Sequence, residues 1–132
     1  MNILISDIPR EGILRLVMDD KKSGNALSED MMSRLMETIK KASIDESIKI
    51  IILAAKGGIF SSGHNLKEIT DAREKIEYGE PYFKQLFDQC SSLMQLIVNC
   101  PKPVIAQISG IATAAGCQLV ATCDLAYASS SA

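Results

Sequence analysis

The chain has 132 residues, 47% of them hydrophobic and 23% charged, with a formal net charge of −2. That length suits one domain with a buried core, and the charge balance offers nothing to a nucleic-acid backbone or an anionic membrane surface. Aromatic residues are scarce and Trp is absent, which also argues against base-stacking platforms. The cysteines Cys90, Cys100, Cys117 and Cys123 lack CxxC spacing and histidine neighbours. They are expected to be small, reduced core residues of an intracellular protein, with no metal site. No apolar run approaches a membrane span, and the N-terminus lacks a signal-peptide or Arg-rich transit pattern. A cytoplasmic location is expected as written, or the mitochondrial matrix if a presequence has been removed.

Taken in order, Asn2–Ile8 and Gly12–Met18 are short apolar runs parted by Pro9-Arg10-Glu11-Gly12, and they predict a β-hairpin or two adjacent strands. Asp19–Asn25 predicts a polar turn. Ser28 is placed to cap the next helix, with Glu29 and Asp30 in its first turn. Met31, Met32, Leu35, Met36 and Ile39 repeat at helical spacing to about Ala42, a stripe expected to pack in the core. Lys49–Ala55 is apolar without alternation, as for a strand covered on both faces. Lys56–Gly63 holds three glycines, and His64–Ile69 predicts one or two helical turns. Thr70–Gly79 is charged, without an apolar face, and is expected to be exposed. Glu80–Asn99 predicts a helix through Phe83, Leu86, Phe87, Cys90, Leu93, Met94 and Ile97, and Leu125–Ala128 predicts a strand. The alternation of strands and helices predicts an α/β fold.

The stretch Pro103–Val120 organises the rest: a short strand, a break at Ser109-Gly110, then a helix whose start carries Ala112, Ala114, Ala115 and Gly116. A helix start bare of side chains lets a ligand oxygen reach free backbone N–H groups. Small residues serve close packing equally well, and this stretch alone does not decide between the two.

Ile59-Phe60-Ser61-Ser62-Gly63-His64-Asn65-Leu66-Lys67-Glu68 and Lys102–Ala106 leading into Gly110-Ile111-Ala112-Thr113-Ala114-Ala115-Gly116-Cys117-Gln118-Leu119, closed by Cys123-Asp124, carry a family resemblance. With Asn25-Ala26-Leu27-Ser28 they resemble the crotonase, or enoyl-CoA hydratase/isomerase, superfamily over essentially the whole chain. The Ala-Ala-Gly-Cys-Gln form is most similar to its enoyl-CoA hydratase domain-containing branch. The resemblance implies a crotonase-like β-β-α spiral, truncated before the C-terminal helices, with residues 1–132 as the N-terminal part of a single domain. It implies an acyl-CoA thioester ligand, no cofactor beyond the CoA of the substrate, and a homotrimer or hexamer for the full-length protein.

The resemblance also implies roles. Two backbone N–H groups polarise the thioester carbonyl, and they fall on His64 and Ala115; one such donor is typically worth ~3 kcal/mol in the transition state. The backbone of Ala26, Ser62, His64, Asn65 and Leu66 is expected along the CoA path, with Ala112 nearby. Lys67 is either near the CoA phosphates or a solvated surface lysine. His64 is the single histidine, and the family logic uses its amide, not its imidazole. Gln118 stands where the hydratases carry their first catalytic glutamate, and an amide takes up no proton at neutral pH. The position of the second glutamate lies beyond Ala132. The chain therefore has no identifiable acid or base, and hydration is expected to be weak or absent. The alternatives are a non-catalytic acyl-CoA-binding or regulatory subunit, and a plain structural domain.

Overall fold

The computed structural model describes residues 1–75 and 79–132. Leu4–Arg10 (β1) and Ile13–Met18 (β2) pair antiparallel, as the hairpin expectation requires. The strand runs through Pro9, and a register irregularity between Asp7 and Arg10 absorbs it, so the turn shrinks to Glu11-Gly12. A 3-10 turn at Lys21–Ser23 follows. Glu29–Ile44 (α1) is capped by Ser28, whose hydroxyl accepts from Met31 N–H at 3.1 Å. At the far end Lys102 Nζ donates to the carbonyls of Ala42 and Asp45, a cation where the helix dipole favours one.

Ile50–Ala55 (β3), Ile59–Ser61 (β4), Leu66–Arg73 (α2), Glu80–Val98 (α3), Val104–Ile108 (β5), Ile111–Ala112 (β6), Ala115–Thr122 (α4) and Leu125–Ala128 (β7) complete the described elements. The main sheet has the order β1-β2-β3-β5-β7 and is parallel from β2 onward. A second, two-stranded sheet joins β4 to β6 in parallel. Both of those strands are too short to read from periodicity.

Met31, Met32, Leu35 and Ile39 on α1, and Leu86, Cys90, Leu93, Met94 and Ile97 on α3, are buried in one core with Leu16, Met18, Ile51, Leu53, Val104 and Ala106. Each large side chain buried this way contributes roughly 1.5–3 kcal/mol. The methionine stripe is therefore core, as expected, with Met36 packed half-buried at its edge. The expectation that β3 is covered on both faces holds only in part. Ile51 and Leu53 face the core, while Ile50 and Ile52 are half-buried on a face that also carries the Arg15–Asp7 ion pair at 2.6 Å. All four residues of β7 are exposed.

Three further expectations are corrected. Helix α2 starts at Leu66, not His64, because the Asn65 side chain accepts from Lys67 N–H at 3.0 Å and Glu68 N–H at 3.2 Å and so caps it. The helix then continues into the Thr70–Gly79 segment, whose described residues are exposed as expected apart from Ala72 and Gly79; Ile76–Tyr78 of that segment lie outside the described residues. Cys117 is exposed rather than buried, and Phe87 leaves the buried face of α3.

Asp124 closes β5 onto the strand that follows it. Its carboxylate accepts from Val104 N–H at 2.8 Å, and its own N–H donates to the Val104 carbonyl at 2.8 Å. Asp124→Ala is expected to cost about 1–3 kcal/mol, since a strand N–H loses a charged acceptor. Urea unfolding measures this, and a midpoint equal to wild type refutes it.

Candidate active site

β2, β3 and β5 run parallel, so the segments that leave their carboxyl ends emerge on one side of the sheet, the usual place for a site in such folds. These are Asp19–Ser28, Lys56–Asn65 and Ser109–Ala115. Asn25 ties the first two together. It is 1% exposed with φ of 52°, a conformation Asn tolerates better than most residues. Its Oδ1 accepts from Asp20 N–H at 2.7 Å, and its Nδ2 donates to the carbonyls of Lys56 at 3.1 Å and Ile59 at 2.8 Å. Ser62 N–H donates to the Gly24 carbonyl at 3.0 Å, and Leu27 N–H to the Gly63 carbonyl at 2.7 Å. Asn25 is a residue that sequence reasoning left as part of a motif without a task; the Gly24-Asn25 pair, apt for positive φ, was its signal.

The second and third segments meet through the β4–β6 pairing and through two glycines. Thr113 N–H donates to the Ser61 carbonyl at 3.1 Å. A Cβ on Gly116 would lie 2.8 Å from both the carbonyl carbon and the Cβ of Ser61. A Cβ on Gly63, whose φ is +90°, would lie 2.9 Å from the Ala114 Cβ and 3.1 Å from the Ala115 nitrogen. The residue before His64 is thus packed against the amide of Ala115.

Helix α4 begins at Ala115, while Ala112, expected in its first turn, is drawn into β6 opposite Ser61. Its N-cap, Ala114, has φ of 50° and ψ of −128°, a strained conformation for alanine costing about 1–3 kcal/mol. The Ala114 carbonyl accepts from Cys117 N–H at 3.0 Å and Gln118 N–H at 3.1 Å. The peptide plane shared with Ala115 therefore turns its carbonyl into the helix and its N–H outward. Among the described residues neither His64 N–H nor Ala115 N–H has a hydrogen-bond acceptor.

His64, Ala115 and Gln118 line one cavity of about 560 Å³ together with Phe87, Cys90, Ser91, Met94 and Gln95 of α3. Gln118 is exposed, and its side-chain amide bonds to none of the described residues. Ser62, Asn65, Leu66 and Lys67 line an adjoining cavity of about 580 Å³ with Asp20, Lys22 and Ser23, and His64 belongs to both. Ala26 is buried, and neither it nor Ala112 reaches the wall of these two cavities. Lys67 pairs with Asp71 at 3.4 Å on the surface of α2. Lys22 was missed from the sequence, although the Asp-Asp-Lys-Lys run marks a polar turn.

The His64 imidazole meets the Phe87 ring at 5.7 Å and 74°. Its Nδ1 is buried without a hydrogen-bond partner, and the Leu27 backbone lies close without completing one. Burial pushes the imidazole below its ordinary value of 6.5, partly opposed by that backbone, so the ring is neutral at pH 7. Nearby, burial raises the Glu68 carboxyl even though Glu29 N–H and the Tyr82 hydroxyl donate to it. Burial, with the Glu68 charge, pushes Tyr82 up to about 12.

Two measurements check this geometry. Since His64 is the single histidine, its NMR titration is unambiguous, and a midpoint below 6.5 is expected. The unfolded chain then protonates first, so this group's contribution to stability is present above pH 6.5 and is lost as pH falls through the folded value. A midpoint at or above 6.5 contradicts the burial. Gly116→Ala is expected to destabilise by about 3 kcal/mol or more, because its methyl meets backbone that has no room to give; calorimetry showing an unshifted Tm would overturn the close approach.

Comparison with known proteins agrees with this architecture. Enoyl-CoA hydratase domain-containing protein 3, mitochondrial, from Xenopus laevis is 47% identical over 118 residues, covering 89% of this chain and 38% of its own length. The mouse protein of that name is 45% identical over 126 residues, covering 96% of this chain and 40% of its own length. An enoyl-CoA hydratase structure from Mycobacterium smegmatis superposes with a TM-score of 0.87 at 42% identity, covering 97% of this chain and 48% of that one. Human enoyl Coenzyme A hydratase domain-containing protein 3 gives 0.85 at 40% identity, covering 96% and 48%. The chain thus spans less than half the length of these relatives. Residues 9–132 match the enoyl-CoA hydratase/isomerase family, with the crotonase fold that its solved relatives share, and the chain belongs to that family.

Proposed function

We propose that this protein binds an acyl-CoA thioester and polarises its carbonyl with the N–H groups of His64 and Ala115. The observation that carries the reading is the pair of acceptor-free amides on adjoining turns, both at the wall of one cavity. Preorganised donors of this kind stabilise charge that develops on a thioester oxygen, and they do so best where water is excluded. The adjoining cavity, with Lys22, Lys67, Ser62 and Asn65 on its wall, suits the polar remainder of the CoA, which is the only cofactor group the reading needs. In the whole protein we place this site in a homotrimer or hexamer. The mitochondrial names of the vertebrate relatives favour the matrix over the cytoplasm as its location.

Hydration is a separate question. Gln118 occupies the position of the first hydratase glutamate, and no Asp or Glu is among the described residues lining the cavity. Losing a general base costs about 10²–10⁴-fold in rate. This favours a second reading for the same site, a thioester-binding or regulatory subunit without turnover.

Titration calorimetry with butyryl-CoA against free CoA tests the shared claim, and a preference for the thioester is expected. Ala115→Pro removes one N–H at the first residue of α4. It should abolish that preference with the far-UV spectrum retained; unchanged binding in the folded variant would leave only a structural role for these turns. Crotonyl-CoA hydration, followed by loss of absorbance of the conjugated thioester, is expected at about 1% or less of an ordinary hydratase's rate. Turnover at the ordinary rate sinks the argument from Gln118.

A further inference from the structure

We propose that the acyl end of this site is shaped for a planar aromatic group rather than a saturated chain. The inference rests on the thioester reading above and concerns only what the thioester carries. Among the described residues, no Val, Leu or Ile lines the cavity that holds the two free amides. Its apolar wall consists of Phe87, Cys90 and Met94 of α3 and Ala115 of α4, with the His64 ring edge-on to Phe87.

The rings form a corner. His64 and Phe87 stand 5.7 Å apart at 74°, and Phe83 continues the stack behind Phe87 at 6.5 Å and 23°. Phe87 remains 54% exposed although it belongs to the helix's apolar stripe, so much of its surface has no partner among the described residues. Cys90 and Met94 follow at spacings of three and four residues, which stacks them along one side of the helix. The Thr122 hydroxyl, which donates to the Gln118 carbonyl at 2.7 Å, lies 3.4 Å from Met94 Sδ. Thioether sulfur and aromatic faces are the surfaces on which a flat ring gains most over an alkyl chain of similar size.

The remaining wall is polar. Gln95 donates through Nε2 to the Ser91 hydroxyl at 3.2 Å, which leaves its carbonyl oxygen for other contacts. Gln118 lies on the same cavity. An alkyl chain against these amides would strip them of water without replacing it, whereas the electropositive edge of an aromatic ring meets a carbonyl oxygen favourably.

The test is calorimetric titration of the intact chain with 3-phenylpropanoyl-CoA, with nonanoyl-CoA, which has the same carbon count, and with free CoA. Neither thioester has a double bond to hydrate. The aromatic thioester is expected to bind about tenfold more tightly than the aliphatic one, the size of one ring pair and one sulfur contact acting together. Phe87→Leu, which keeps an apolar side chain at a position 54% exposed, is expected to erase the difference. Equal or tighter binding of nonanoyl-CoA, with both thioesters ahead of free CoA, overturns the inference and leaves the thioester reading standing. An aromatic preference that survives in Phe87→Leu overturns its assignment to this wall. Absence of any advantage over free CoA removes both.

Discussion

The site depends on one steric constraint, the approach of two backbone turns closer than any side chain permits. Gly116 lies against the Ser61 carbonyl and Gly63 against Ala114 and the Ala115 nitrogen. Replacing either glycine would push the turns apart and separate two N–H groups that come from residues far apart in sequence. The β4–β6 ladder, only two or three residues long on each strand, sets the register of that approach. The strain at Ala114 is tolerated because its surroundings over-determine it: Thr113 is tied to Ser61, and the Ala114 carbonyl accepts the first helical bonds.

A buried amide holds the other side of the arrangement. Asn25 satisfies an N–H from its own segment and two carbonyls from the segment after β3. A buried polar group with all its bonds made in good geometry specifies one arrangement, because every alternative leaves a desolvated donor or acceptor unpaired. Ser62 and Gly63 are clamped by the bonds that follow, so the chain reaches His64 with little freedom left. The capping of α2 by Asn65 then keeps the His64 amide outside the helix. Sequence pattern suggested that both site amides belong to helix starts; in the structure only that of Ala115 does.

The chemistry of the site follows from what surrounds those amides. The imidazole that attracts attention as the single histidine is neutral, half-buried and packed edge-on against Phe87. In the proposed reading it serves as wall rather than as proton carrier. The most perturbed carboxyl in this region, Glu68, faces the N-terminus of α1 and Tyr82 and lines neither of the two cavities at His64. The proposed binding and polarisation therefore have two acceptor-free amides at the cavity wall, whereas no Asp or Glu is among the described residues that line it.

The sequence by itself determined the long elements and the family. Apolar spacing places α1, α3 and the strands of the main sheet, Ser28 announces its cap, and the two glycine-bearing motifs carry the resemblance that the comparisons bear out. Those features are local, being set by period, capping and turn chemistry within a few residues. Tertiary structure alone decided the rest. The strands β4 and β6 are too short to show a period, and Ala112 becomes strand instead of helix because Ser61 lies opposite it. Phe87 fits the buried stripe of α3 by spacing, yet it is 54% exposed and lines a cavity beside His64. Which backbone N–H groups lack an acceptor depends on contacts between segments some fifty residues apart, and a one-dimensional pattern carries no record of such contacts.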